Sequence, residues 1–203
     1  MRVGIDFDNT IISYDEVFRS VAQDWGLIDD SVSARKQSIR DHIRLLPDGD
    51  FKWQRLQGHV YGKGISGACM FEGVDSFLSR CRSEGCTVLV VSHKTKYGHY
   101  DSDFVNLREA AINWMDAHGF FHDAGYHIPI ENIYFEESRA EKLARIAALD
   151  CTCFIDDLEE VLSDPGFPAH VAPILFSGEA TVTSPFASFP IWKDIEEHLF
   201  RDR

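Results

Sequence analysis

Long apolar runs are missing from this chain. No segment approaches the ~20 apolar residues of a bilayer-spanning helix, and no cationic stretch leading into an apolar run opens it, so neither a membrane span nor a secretory leader is expected. Internal repeats and low-complexity tracts are also absent, which excludes a repeat architecture. Positive charge is scarce, with 20 Lys and Arg against 33 Asp and Glu and a net charge of −13. That balance argues against nucleic acid as a partner, because affinity for phosphate backbones comes from lysine and arginine. A small phosphate held at one local site is not excluded. Cysteine is sparse and odd in number: Cys69, Cys81, Cys86, Cys151 and Cys153. They lie in apolar surroundings, so the expectation is free, mostly buried thiols in a reducing cytoplasmic compartment. A zinc site on Cys151 and Cys153 would need further ligands elsewhere at matching spacing, so free thiols are the expected reading.

What is present is core material. With 44% hydrophobic and 12% aromatic residues over 203 positions, the chain can bury a substantial core and suits one globular unit carrying a sizeable insertion. Short apolar runs at Arg2–Phe7, Thr87–Val91, Ile133–Phe135, Thr152–Ile155 and Val171–Phe176 are rich in β-branched and aromatic residues, as in strands covered on both faces. Helical periods separate them. Val74, Phe77, Leu78 and Cys81 share one face of a helix ending near Gly85; Phe104, Leu107, Ala111, Trp114 and His118 form a second stripe; Leu143, Ile146 and Ala147 a third; Leu158, Val161 and Leu162 a fourth. Strands alternating with helices predict βαβ units, hence an α/β fold with a Rossmann-like, mostly parallel sheet sandwiched by helices.

Residues 13–70 break the alternation. Nearly sixty residues is too long for a loop in a compact α/β domain. Val17, Val21 and Trp25 can line one helical face, and Ile39, Ile43 and Leu46 another. The expected organisation is a core of residues 1–12 and 71–203 with a small helical domain inserted at 13–70. Residues 31–63 carry seven basic side chains against three acidic ones, Asp41, Asp48 and Asp50, a local reversal of the global charge. With Trp53, Gln54, His59 and Tyr61, these basic groups can form a surface selective for a small anion, or a solvated helix face balanced by the acidic core. Gly58, Gly62, Gly64 and Gly67 would permit bending.

Ligands of open parallel sheets bind beyond the carboxyl ends of the strands. There the first strand delivers Asp6 and Asp8, whose side chains point the same way two residues apart. The run Phe154-Ile155 delivers Asp156 and Asp157. Like charges at ~4 Å repel by about 4 kcal/mol at an effective dielectric near 20, so four carboxylates in one crevice need a cation. Hard oxygen donors favour Mg²⁺, which takes one or two carboxylates together with substrate phosphate oxygens. The structural alternatives are a turn role for Asp6 and Asp8, and capping of the next helix by Asp156 and Asp157. His118, His122 and His127 lack such strand-end placement and read as a surface loop.

The ordered set Asp6-Phe7-Asp8-Asn9-Thr10, Ser92, Lys142 and Asp156-Asp157 resembles the four motifs of the haloacid dehalogenase (HAD) superfamily, and the inserted segment is similar to that family's helical C1 cap. The resemblance implies a Mg²⁺-dependent phosphatase acting on a small anionic phosphate ester, with no nucleic acid or membrane partner. It implies that Asp6 is the nucleophile forming an aspartyl-phosphate and Asp8 the general acid and then base. It also implies that Thr10 orders the turn, that Ser92 binds a phosphoryl oxygen, that Lys142 neutralises charge beside the nucleophile, and that Asp6, Asp8, Asp156 and Asp157 surround the metal. Lys94 and Lys96 follow Ser92 directly and compete with Lys142 for the role of catalytic lysine. Asn9 stands where several family members have glycine; asparagine tolerates positive φ better than most residues. A phosphotransferase or mutase, or a non-catalytic module binding Mg²⁺ or phosphate, would present the same motifs.

Overall fold

The structure, a computed structural model, describes residues 1–100, 103–178 and 183–201. All five strands expected from the sequence are present: β1 (Arg2–Ile5), β4 (Thr87–His93), β5 (Ile133–Glu136), β6 (Cys153–Asp156) and β7 (Ala172–Phe176). A short sixth, β8 (Ala187–Phe189), completes a parallel sheet of order β5-β4-β1-β6-β7-β8. Its three residues are all half-buried, so they carry no alternation that sequence periodicity could register. Two further strands, β2 (Ile12–Ser13) and β3 (Cys69–Met70), pair as a separate ribbon.

The chain divides into two compact units. The first comprises 1–12, 70–94 and 118–203; the second comprises 13–69 together with 95–117.

In the first unit, β1 lies between β4 and β6, the most enclosed place in the sheet, and Val3, Ile5 and Phe7 are fully buried. Side chains alternate across the sheet. Leu89, Val91, Phe154 and Leu175 pack with Leu143 and Ile146 of helix α6 (Arg139–Ala148) and with Val161 and Leu162 of α7 (Glu159–Leu162). Helix α4 (Val74–Ser83) packs on α8 (Trp192–Phe200) through Phe77, whose ring lies 4.9 Å from Trp192 and 6.1 Å from Phe200. The α4 stripe of Val74, Phe77, Leu78 and Cys81 is buried as expected. In α6 and α7 the outermost members of the expected stripes, Ala147 and Leu158, are exposed. Leu158 sits in extended backbone ahead of a four-residue helix.

The second unit is helical. It contains α1 (Asp15–Asp24), α2 (Lys36–Arg44), α3 (Gly49–Tyr61), a 3-10 turn at Lys63–Gly67 and α5 (Leu107–Ala117). Ile39, Ile43, Leu56 and Val60 are fully buried. Phe18 stacks on Trp53 at 5.1 Å, and the Trp114 indole N–H donates to the Ala68 carbonyl at 3.0 Å. Trp53 is therefore core rather than part of an anion-selective surface. Gly58 is likewise buried inside α3, and a Cβ at Gly64 would stand 3.1 Å from Val17, so Gly64 lies in close packing. The stripe drawn from Phe104 begins later than the spacing suggests. The Asn106 side chain accepts bonds from the backbone N–H of Arg108 and Glu109, which starts the helix at Leu107 and leaves Phe104 exposed with φ of 49°. Arg40, Arg44 and Lys63 pair with Asp41, Asp50 and Asp103, and Lys36 and Arg55 lie over aromatic rings, so much of the local basic excess is engaged within the unit.

Two outcomes test this packing. A Cβ at Gly4 would lie 2.5 Å from the Phe154 ring and 3.0 Å from Cys151 Sγ. Gly4→Ala should therefore cost about 1–3 kcal/mol in urea unfolding, and an unchanged midpoint would contradict the close approach. Cys69 is exposed, whereas Cys81, Cys151 and Cys153 are buried. Burial is the main cause that raises these three thiols, Cys151 to about 11 and Cys153 to about 12. A disulfide reagent should label Cys69 in the folded protein and reach those three only after denaturation; rapid labelling of Cys153 in the folded state would refute the buried placement.

Candidate active site

The sheet register assembles the site. Ile5 pairs with Ile155, and the Asp6 N–H donates to the Ile155 carbonyl at 2.9 Å, so Asp6 and Asp156 leave adjacent strands at the same level. On the other side Ile5 pairs with Val90, and carrying that register forward brings Ser92 level with Phe7. After Phe7 the chain turns sharply. The N–H groups of Ile11 and Ile12 both donate to the Phe7 carbonyl, and Asn9 adopts a φ of 61°, a conformation asparagine accepts more readily than β-branched residues.

Thr10 is fully buried within this turn. Its hydroxyl accepts from the Asp157 N–H at 3.1 Å and lies 3.5 Å from Asp6 Oδ2 and 3.4 Å from Asp157 Oδ1. One hydroxyl has one proton, so it donates to only one of these carboxylates at a time. From the far side Trp192 donates its indole N–H to the Thr10 carbonyl at 3.0 Å. The helix carrying Trp192 is not among the periods read from the sequence; the spacing of the buried pair Trp192 and Ile195 is the signal that marks it.

Lys142 reaches the site from the first turn of α6. Ser138 caps that helix by accepting the Glu141 N–H at 3.2 Å, while Glu141 Oε2 accepts the Glu137 N–H at 3.0 Å, an arrangement close to a capping box. A cation at a helix amino terminus opposes the helix dipole. Here two carboxylates offset that, since Lys142 Nζ donates to Asp6 Oδ1 at 2.6 Å and to Asp156 Oδ2 at 2.7 Å, all three groups being buried. Burial works against the lysine charge, yet Asp6 and Asp156 outweigh it and hold its pKa above the ordinary value. Asp156 spends its other oxygen on the Leu158 N–H at 2.9 Å, so a local turn role and a site role coexist in one side chain.

Lys94 belongs to a different pair. Its ammonium lies 2.9 Å from both Asp8 oxygens and is almost wholly buried. Lys142 and Lys94, two of the three lysines that compete on sequence grounds, thus pair with different carboxylates. Ser92 is buried at the end of β4, and Lys96 has its ammonium over the Tyr97 ring at 5.4 Å, in the other unit. Of the three histidines, His118 is half-buried and exposed His127 pairs with Asp123 at 2.7 Å, and among the described residues none of them belongs to a group of three or more potential metal ligands.

Among the described residues one group of His, Cys, Asp or Glu offers three or more ligand atoms at one point. These are Asp6, Asp156 and Asp157, with carboxylate oxygens within 4.8 Å of one another. Asp8, also expected at the metal, lies outside that group. Asp6 is raised to about 7, first by burial; Lys142 pulls it down, and Asp156 and Asp8 push it up. One lysine leaves negative charge uncompensated in this pocket. An all-oxygen donor set of this size with excess negative charge fits a hard divalent cation such as Mg²⁺.

No protein-family model and no curated protein matches the sequence. Solved structures do match in fold. A HAD family hydrolase of Deinococcus radiodurans R1 with bound phosphate and sodium aligns with TM-score 0.56 at 15% identity, over 98% of this chain and 95% of that one. A predicted phosphoglycolate phosphatase from Haemophilus somnus 129pt gives 0.55 at 15% identity, over 97% and 96%. Protein tyrosine kinase A of Mycobacterium tuberculosis gives 0.61 at 14% identity, over 98% and 97%. The sheet and the likeness to solved hydrolases of this kind agree: the chain has the fold of the haloacid dehalogenase superfamily hydrolases.

Proposed function

We propose that the protein is a Mg²⁺-dependent phosphatase that hydrolyses a small phosphorylated metabolite through an aspartyl-phosphate on Asp6. The observation that carries this reading is the convergence of Asp6, Asp156 and Asp157 on one point with Lys142 bridging the first two. Asp6, Asp156 and Asp157 would hold the cation. When bound, it would supply positive charge that lowers the repulsion between a carboxylate nucleophile and a phosphate dianion.

The protein's own groups account for the rest. In the first step an Asp6 oxygen bonds to phosphorus as the bond to the leaving oxygen breaks, and Asp8 gives its proton to that oxygen. In the second, water attacks phosphorus, Asp8 takes a proton from it, the Asp6 carboxylate is regenerated and inorganic phosphate departs. Splitting the reaction lets one proton carrier serve both directions. Lys142 supplies fixed positive charge beside the nucleophile, and Ser92 binds a phosphoryl oxygen. The segment 13–70 would act as the cap, contributing substrate selectivity.

The likeness to a protein called a tyrosine kinase keeps a phosphotransferase as a second reading. It shares the first step and differs in what receives the phosphoryl group.

Two measurements test the proposal. Purified protein should release phosphate from members of a panel of small phosphate esters with Mg²⁺ and stop when the metal is chelated. Asp6→Asn should lower turnover by more than about a thousandfold. Full activity in Asp6→Asn, or no release from any ester, would end the claim; transfer to an added alcohol in preference to water would favour the second reading. Without any substrate, Mg²⁺ should raise the melting temperature of the wild type by preferential binding to the folded state. Asp156→Asn should abolish most of that rise, and a rise of wild-type size in the variant would remove Asp156 from the metal site.

A further inference from the structure

Lys94 is a buried lysine for which the proposed reaction has no use. Its backbone N–H donates to the Glu136 carbonyl at 3.0 Å, extending the pairing of β4 with β5 past His93 and fixing where the side chain starts. The ammonium ends 5.7 Å from the centroid of the fully buried Phe7 ring and 2.9 Å from each oxygen of Asp8. The Lys94 side chain is 3% exposed and that of Asp8 19%. Buried ion pairs are commonly no more stabilising than apolar residues of similar size, so fold stability alone does not call for this pair. Its placement does suit a charge that appears during the reaction. When Asp8 gives its proton to the leaving oxygen, negative charge develops on its carboxylate, and a fixed cation bridging both oxygens stabilises that charge where it forms.

We propose that Lys94 is the positioning residue of the proton carrier, holding the Asp8 carboxylate by both oxygens between departure of the leaving group and attack of water. The inference rests on the phosphatase reading of Asp6 and Asp8 and adds a role for a residue outside it. It separates the two lysines by function: Lys142 serves the nucleophile and the metal carboxylates, and Lys94 serves proton transfer.

The consequence is selective. Loss of Lys94 should matter most for esters whose leaving oxygen needs a proton. Phenyl phosphate and 4-nitrophenyl phosphate have similar shapes but a poor and a good leaving group, and kcat/KM reports the first phosphoryl transfer. With Mg²⁺ present, Lys94→Gln and Lys94→Met should lower kcat/KM at least about tenfold on phenyl phosphate and less than about threefold on 4-nitrophenyl phosphate. Lys94→Arg should recover part of the loss. The ratio of the two esters does not depend on the fraction of folded enzyme, so a merely structural role would leave it unmoved.

Asp8→Asn should shift the ratio in the same direction and further. An unchanged ratio in the Lys94 variants with a shifted one in Asp8→Asn overturns the role of Lys94 and leaves the reading of Asp8 standing. An unchanged ratio in Asp8→Asn overturns the proton-carrier reading and this inference with it, as does failure of the wild type to hydrolyse either ester.

Discussion

Charge compensation at the carboxyl end of β1 is the constraint on which the site depends. The sheet cannot place Asp6 beside Asp156 without burying two like charges, because the Ile5–Ile155 pairing fixes both at one level. Two unit charges ~4 Å apart repel by about 4 kcal/mol at an effective dielectric near 20, and desolvation adds to that. Lys142 answers both carboxylates at once, at 2.6 and 2.7 Å, and can do so only because Ser138 starts α6 where the lysine falls in its first turn. Strand register, helix cap and ion pair are therefore one device. Asp6 is nonetheless raised to about 7, first by its burial, with Lys142 pulling it down and Asp156 and Asp8 pushing it up, and the carboxylate oxygens of Asp6, Asp156 and Asp157 lie close enough together to suit a divalent cation.

The turn after β1 is the second half of the device. Thr10 ties it to the end of β6 through the Asp157 N–H, and Trp192 ties it to the carboxyl-terminal helix through the Thr10 carbonyl. Trp192 in turn packs on Phe77 and Phe176, at 4.9 and 5.7 Å between ring centroids. The backbone of Thr10 is thus coupled to the apolar core by one side chain that has both a large ring and a single N–H donor. A loop with only backbone bonds of its own would leave Asp6 and Asp8 free to spread apart; this one is anchored from both sides.

Much of this is legible in the sequence, for reasons that can be named. β1, β4, β6 and β7 are buried strands of a parallel sheet, so their apolar runs are nearly continuous and stand out, and the Asp residues closing β1 and β6 mark the strand ends. The order of the strands is a property of pairing across long separations, and no local pattern carries it. The grouping of 95–117 with 13–69 is of the same kind, since the Trp114 to Ala68 bond joins residues 46 positions apart. Trp53 reads as a recognition residue in the sequence because indole rings serve both recognition and packing; Phe18, which stacks on it, decides the matter and lies 35 positions away. The two lysines are a different case, because a local pattern does bear on them. Ser138 and Glu141 form a Ser-x-x-Glu pattern that fixes the start of α6, and with it the place of Lys142 in the first helical turn, a constraint that Lys94 does not share.

That separation leaves two carboxylates two residues apart with different partners. An extended chain points Asp6 and Asp8 the same way, and nothing in the Asp-x-Asp spacing distinguishes them. The difference comes from the neighbours of β1. On the β6 side Asp6 meets Asp156 and shares Lys142 with it, in the most buried part of the site, where negative charge accumulates. Asp8, carried outward by the turn and more exposed, meets Lys94 arriving from beyond β4, so its charge is answered by a lysine of its own. The unlike surroundings of the pair thus come from a central strand with unlike neighbours, one ending in acid and the other continuing into a lysine. A β1 at the edge of the sheet would have one such neighbour, and one of its two carboxylates would lack a partner.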